Sequence, residues 1–384
     1  MMASGWTRLV CAWATVGAFV LFGYDMLAQI GNPLVALGLF TWLIGIIVWS
    51  AFGVVHEAEE LAEILGEPYG TLILTLSIVI IEVALIAAVM LGAKQASTLG
   101  RDTMFAVLMI VLNGVVGLGL LVGGMRHHQQ SYNLQGASAY LAVIIPLTTI
   151  SLVLPNFTIS TVDGSLTAVQ AVFFSIFTLA LYGIFLVLQT GRHQSFFIYP
   201  PPSPGLAAPP KPDASTADGD TANGGEGGAA HGGRAKILPH LALLLANILP
   251  IVILSKSLAA VLDHGIASLG APPALGGILI ALVVFTPEGI SALKAVAANQ
   301  LQRAINLCLG AATSTVGLTV PAVLAIGLMT GQPVVLGLSM TNMVLLATTL
   351  ILNTLTFSGP RTTVLEGAVH LVMFFVFLVL VFSP

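Results

Sequence analysis

The chain has 384 residues, 57% hydrophobic and only 7% charged, with a net charge of −4 and a mean hydropathy of +1.01. An ordinary soluble domain carries about 25% charged residues, so this composition excludes one and points to a polytopic membrane protein. The small charge, without a basic stripe interleaved with aromatics, argues against a nucleic-acid partner. Cys11 and Cys308 lie far from any CxxC or His-Cys cluster and indicate neither a disulfide framework nor a zinc site.

Crossing a hydrocarbon core as helix takes roughly 20 apolar residues. Runs near that length fall at 9–29, 34–55, 70–91, 103–123, 136–155, 166–190, 237–261, 274–297, 304–328, 331–352 and 363–383. Each far exceeds the roughly 10 residues of a barrel strand and lacks alternation, which predicts eleven transmembrane α-helices. The first run follows Arg8 without a small-x-small cleavage site, so it is read as an uncleaved span. Between the sixth and seventh runs lies a Pro-, Gly-, Ala- and Asp-rich stretch, expected to be a disordered cytoplasmic linker over 191–236. Its acids Asp213, Asp218, Asp220 and Glu226 are read as solvating charges.

Lys and Arg favour cytoplasmic loops. With the N-terminus inside, Arg8, Arg126, Arg192, Lys211, Arg234, Lys236, Lys294, Arg303 and Arg361 fall on the cytoplasmic side, against Lys94, Arg101 and Lys256 opposite. Nine against three places the N-terminus in and the C-terminus out.

The third run, "TLSIVIIEVALIAAVM", contains one acid, Glu82. A charge at the centre of a span costs roughly 2.5 to 3.5 kcal/mol on insertion scales, so it requires a function. After the linker, "GGILIALVVFTPEGISALKAV" again carries a single acid, Glu288. Each Glu stands twelve residues after a matching Gly, Gly70 and Gly276, and Leu76 matches Leu282. In the next span of each half, Asn113 lies twelve residues after Arg101 and Thr315 twelve after Arg303.

Setting the first span aside, the chain divides into an N-terminal helix over 1–33, a five-helix repeat over 34–190, the linker, and a second five-helix repeat over 237–384. An odd number of spans per repeat makes the two copies enter the membrane from opposite sides, the inverted plan of secondary transporters. Glu82 and Glu288 would then meet at the bilayer midplane. Two carboxylates with oxygens from Asn113, Ser314 and Thr315 offer hard ligands that suit Ca²⁺ or another hard cation. Pro287 removes a backbone donor and should free a carbonyl as a further ligand. Without a cation, the carboxylates repel and lose solvation, both of which favour protonation, so protons and metal compete for one site. One Ca²⁺ against two protons leaves the charge of the site unchanged.

In "GEPYGTLILTLSIVIIEVALI", "RDTMFAVLMIVLNGVVGLGLLVGGMRHH", "LVLPNFT" and "FTPEGISALKAVAANQLQRAINLCLGAATSTVGLTVPAV" the sequence resembles the calcium/cation antiporter superfamily. Within it the resemblance is to Ca²⁺/H⁺ exchangers, nearest the bacterial ChaA-type sodium-calcium/proton antiporters. It covers nearly all of the membrane-spanning chain and implies an inverted five-plus-five fold in which the central acids, Glu82 and Glu288, exchange cation for protons. Ser314 stands where many exchangers have Gln. Ile78-Val79 and Val284-Phe285 replace the Gly-Asn pair common before each Glu, and Ala311 and Ala312 replace common serines, leaving fewer polar ligands.

The stretch "VVHEAEELAEILGEP" gathers Glu57, Glu59, Glu60, Glu63 and Glu67 after the second span, with His56, Glu60 and Glu63 on one helical face. His56, Glu57, Glu60 and Glu63 are candidates for cytoplasmic cation or pH sensing, against the plainer reading of a solvated helix end. No GxxxxGK[ST] loop and no HExxH or Ser-His-Asp constellation occurs, so neither an ATP-driven pump nor a hydrolase is expected. The expectation is a secondary antiporter of a bacterial inner membrane, with no cofactor beyond transported ions, that exports Ca²⁺ for H⁺. A monovalent Na⁺ or K⁺/H⁺ antiporter is the first alternative. A cation channel, which needs a continuous polar lining, is the second.

Overall fold

A computed structural model describes residues 2–65, 69–92, 97–161, 163–198 and 229–383. Eleven helical rods run through them: α1 (Met2–Ala28), α2 (Pro33–Leu65), α3 (Tyr69–Gly92), α4 (Leu99–His127), α5 (Leu134–Phe157), α6 (Ala168–Thr190), α7 (Ala229–Leu269), α8 (Ala274–Ala297), α9 (Leu301–Thr330), α10 (Met340–Thr356) and α11 (Val364–Phe382). Among the described residues, nine of these are long and apolar enough to cross a membrane, and Thr75–Leu91 and Met340–Thr356 are shorter apolar helices.

Three rods change winding part-way. The backbone is π-helical over Ile110–Val115 in α4, Thr149–Val153 in α5 and Thr315–Thr319 in α9. Such turns widen the helix by one residue and frequently mark functional sites. The turns of α4 and α9 fall at overlapping places in the two halves, beginning 9 and 12 residues after Arg101 and Arg303. The fifth helix of each half opens alike, with a capping box on Thr167 and Gln170 in α6 and on Thr363 and Glu366 in α11.

The inversion is visible in how the connections pair. Gln130–Ser131, between α4 and α5, pairs antiparallel with Arg361–Thr362, between α10 and α11. Ser165, between α5 and α6, bridges to Val335, between α9 and α10. The connection after the third helix of one repeat therefore shares a membrane face with the connection after the fourth helix of the other, as two opposed copies require. The face holding the start of α1 also holds the α4–α5, α8–α9 and α10–α11 connections: Gln130 Nε2 donates to Val296 O at 3.1 Å, and Tyr132 donates to Gly359 O. Burial beside Glu366 pushes the Tyr132 phenol up to about 12, so it stays a donor.

The helices sort by burial. In the apolar windows of α4, α8 and α9, 72%, 61% and 61% of residues are buried, against 22% in α6 and α11. The first group forms the centre, and the second turns residues such as Phe173, Phe177, Val372 and Val379 outward to lipid. Central packing is backbone-close: a Cβ on Gly277 of α8 would meet Thr103 N of α4 at 2.7 Å. α1 rests on α2 and α7, where Trp13 Nε1 donates to Ala246 O at 3.0 Å and Trp42 Nε1 to Thr15 Oγ1 at 3.2 Å.

Three expectations need correction. The tenth span does not begin at 331. Gly331 takes a left-handed φ of +69°, and the chain stays out of helix until Ser339 caps α10. The apolar look of this stretch comes from Leu336 and Leu338, which are buried in non-helical conformation. The linker is narrower than 191–236, because Gln194–Phe197 forms a 3₁₀ turn and α7 begins at Ala229. Phe197 meets Tyr140 edge to face, with ring centroids 5.2 Å apart, and its carbonyl accepts from Asn306 Nδ2 at 2.7 Å, which anchors this stretch. Residues 199–228, with Lys211, Asp213, Asp218, Asp220 and Glu226, lie outside the described residues, as do Glu67 and Lys94. Finally, the second span continues ten residues past its expected end, since "HEAEELAEIL" prolongs α2.

Candidate functional site

Glu82 lies on α3 and Glu288 on α8, both buried, at 1% and 6% exposure. α8 runs through Pro287 without a break. The neighbours Ser314 and Thr315 link the two acids: Ser314 lines one cavity with Glu288, and Thr315 bonds Glu82. Thr315, the first residue of the α9 π turn, donates its hydroxyl to Glu82 Oε2 at 3.0 Å. One oxygen of each acid, Glu82 Oε1 and Glu288 Oε2, is buried without a hydrogen-bond partner. Buried polar atoms are almost always satisfied, so these two carboxylate oxygens, one from each repeat, are acceptors still free for a ligand.

A cavity of about 400 Å³ opens on the face that holds the start of α1 and reaches Glu288. Its mouth carries Arg303, Asn306, Gln189 and Phe197, and deeper in lie Thr75, Ile78, Ser314 and Glu288. The Ser314 hydroxyl donates to Ala311 O at 3.0 Å, which leaves its lone pairs available. Glu82 is not in the wall of this cavity.

The structure thus brings Glu82, Glu288, Ser314 and Thr315 together, but not Asn113. The Asn113 amide nitrogen donates to Thr349 Oγ1 at 2.8 Å, and its Oδ1 lies 3.1 Å from Nδ1 of His370. His370 is fully buried and its Nε2 lies 3.0 Å from Thr356 Oγ1. Asn113 therefore ties the π turn of α4 to α10 and α11, and its polar atoms are occupied there.

Reading the sequence did not single out Thr319. It sits four residues after Thr315, and no hydrogen bond of its buried hydroxyl is seen among the described residues. Helical i, i+4 spacing from Thr315 was the available signal. Among the described residues no group of three or more His, Cys, Asp or Glu could hold a metal, so a bound cation would depend on the two acids and neutral oxygens.

The acidic end of α2 divides. Glu57 is buried and its Oε2 lies 2.8 Å from His240 Nδ1 at the start of α7. His56 and Glu63 are exposed, and Glu60, one turn on from Glu57, is half-buried. Glu57 is a joint between α2 and α7, not one member of a four-residue cluster.

The model of the sodium/calcium exchanger protein family matches residues 35–191 and 239–383. The chain belongs to this family. Among relatives of the exchanger, y4hA of Sinorhizobium fredii is 42% identical over 341 residues, covering 88% of this chain and 87% of its own. The sodium-potassium/proton antiporter ChaA of Escherichia coli is 39% identical over 344 residues, covering 89% and 87%. In structure the exchanger resembles native YfkE, with a TM-score of 0.70 at 15% identity, covering 98% of this chain and 100% of that one. It also resembles the H⁺/Ca²⁺ exchanger CAX, with a TM-score of 0.66 at 14% identity, covering 98% and 88%. The fold is shared, and the chain is an integral membrane transporter rather than an enzyme.

Proposed function

We propose that the protein is a secondary cation/proton antiporter in which Glu82 and Glu288 bind cation and protons by turns. The observation that carries this reading is the pair of orphaned oxygens, one from each repeat, beneath a cavity that reaches Glu288 from one face. Two carboxylates with the Thr315 and Ser314 hydroxyls form a hard-oxygen site of charge −2, which one Ca²⁺ or two protons neutralise. An empty, doubly ionised site is costly in a poorly hydrated interior, so crossing is favoured only when the site is loaded. That obligation couples the two ions.

The α9 residues lining the cavity have α4 counterparts 202 positions earlier. Phe105, Leu108, Met109 and Leu112 stand for Leu307, Gly310, Ala311 and Ser314, and are 3%, 0%, 0% and 0% exposed. On the opposite face a cavity of about 280 Å³ beside Arg101, Asp102 and Phe105 stops short of both acids, so Glu288 is reached from one face only, as alternating access by opposed repeats requires. With the N-terminus cytoplasmic, the open face is the cytoplasmic one and the direction is cation export against inward protons, across a bacterial inner membrane. A second reading, Na⁺ or K⁺ in place of Ca²⁺, is favoured by the full-length relative named a sodium-potassium/proton antiporter.

Proton flux in proteoliposomes with an imposed pH gradient, on adding Ca²⁺, Na⁺ or K⁺ in turn, tests both readings. The expected result is that one cation dissipates the gradient and that Glu82→Gln and Glu288→Gln each abolish the response. Unchanged flux in both variants would overturn the two-carboxylate site, and a response to Na⁺ or K⁺ alone would replace Ca²⁺.

A further inference from the structure

Arg101 and Arg303 occupy matching places, in the first turn of α4 and of α9. Their surroundings differ sharply. Arg101 is tied down: its Nε is 2.9 Å from Asp102 Oδ1, and its Nη1 donates to Gly337 O at 2.9 Å in the connection between α9 and α10. That connection is itself laced to the other repeat, with Val335 N donating to Ser97 O at 2.9 Å and Gly337 N to Gly164 O at 2.9 Å. The Arg101 bond therefore fixes the first turn of α4 against a rigid strap of the opposite repeat.

Arg303 makes no comparable bond among the described residues. Its side chain is 61% exposed at the mouth of the Glu288 cavity, and its nearest carboxylate is Glu59 at 3.8 Å. The face with the tied arginine is the one whose route is shut, and the face with the loose arginine is the one that stands open. The connection matching Gly337 on the open face is 128–133, where Asn133 N already donates to Oε1 of Gln302, the neighbour of Arg303, at 2.6 Å.

We propose that Arg101 and Arg303 are alternate latches, each shutting its own face by tying the first turn of its helix to a backbone carbonyl of the opposite repeat, and that only one is engaged at a time. In the reversed form Arg303 leaves Glu59 and takes a carbonyl of 128–133, while Arg101 swings free beside Asp102. A planar guanidinium suits this task, since it never loses its charge and offers several donors in fixed directions. The inference rests on the alternating-access reading. It adds two residues that touch no cation but decide which face is open.

The test uses the full chain in oriented vesicles, with Cys11→Ser, Cys308→Ala and Leu307→Cys to place one thiol in the open cavity. The readout is the rate of labelling by a membrane-impermeant maleimide added from the face that holds the start of α1. Arg101→Gln is expected to slow labelling about 5-fold or more, because the shut face loses its latch and the population moves to the reversed form. Arg303→Gln is expected to speed labelling, because only the reversed form uses that residue. Asp102→Asn should slow labelling as Arg101→Gln does, and it serves if the arginine variant fails to fold. Two arginine variants that shift the rate in the same direction, or leave it unchanged, would overturn the latch while transport and the two-carboxylate site stand. No labelling in the arginine-intact protein would overturn the open cavity and the latch together.

Discussion

Thr315 donates its hydroxyl to Glu82 at 3.0 Å, and in doing so a residue of the second repeat orients the acid of the first. A hydrogen bond to an ionised group contributes about 1.5 to 3 kcal/mol. Thr315→Val should therefore weaken apparent cation affinity about 10-fold or more in a transport assay, while Thr315→Ser stays near wild type. Equal behaviour of the two variants would remove Thr315 from the site.

In the proposed mechanism protons and cation compete for the same oxygens, which sets the sign of the pH effect. Raising the pH on the open face removes the competing protons, so half-saturation should occur at lower cation concentration as pH rises. The limiting slope approaches two protons per site for a divalent ion, and Glu82→Asp, which retains a carboxylate, should keep this pH dependence. Cation titrations of flux at several pH values measure both.

α4 and α11 touch backbone to backbone. A Cβ on Gly367 would run into Leu121 N and meet Gly117 O at 2.8 Å, with no flexible side chain to give way. Small residues allow such approach in membranes, and overpacking costs about 1 to 3 kcal/mol or more. Gly367→Val should lower the melting temperature in detergent, whereas Gly17→Ala, where a Cβ meets nothing within 4 Å, should not.

The divided acidic end of α2 makes a stability contrast. Glu57→Ala removes the partner of His240 at a buried joint and should cost about 1 to 3 kcal/mol. Glu63→Gln changes an exposed charge and should stay within about 0.5 kcal/mol. Thermal unfolding of the two variants ranks them, and the reverse ranking would restore the four-residue cluster as a unit.

The cavity supplies a steric prediction. Gly310 lines it near Tyr140, whose hydroxyl a Cβ would approach at 3.6 Å, an ordinary contact. Gly310→Phe should fold, yet lower flux at least about 10-fold by filling the route to Glu288, whereas Gly310→Ala should retain transport. Flux in both variants, read beside thermal stability, decides the point.

The sequence by itself determined the membrane class, the eleven helices, the doubling into two halves and the two acids. Each of these rests on the large cost of putting polar groups into lipid, a cost that leaves uninterrupted apolar runs and makes a lone Glu conspicuous. It determined little that depends on which side of a helix meets which neighbour. Asn113 and Thr315 hold matching places, but the fold turns one toward His370 and Thr349 and the other toward Glu82. Glu57 and Glu60 are three residues apart, but only Glu57 meets α7. Arg101 and Arg303 hold matching places in the sequence, but Arg101 meets the Gly337 carbonyl at 2.9 Å whereas Arg303 faces Glu59 at 3.8 Å. Local pattern fixes how deep a residue lies in the membrane, whereas its partners are chosen by packing between segments 183 or more residues apart.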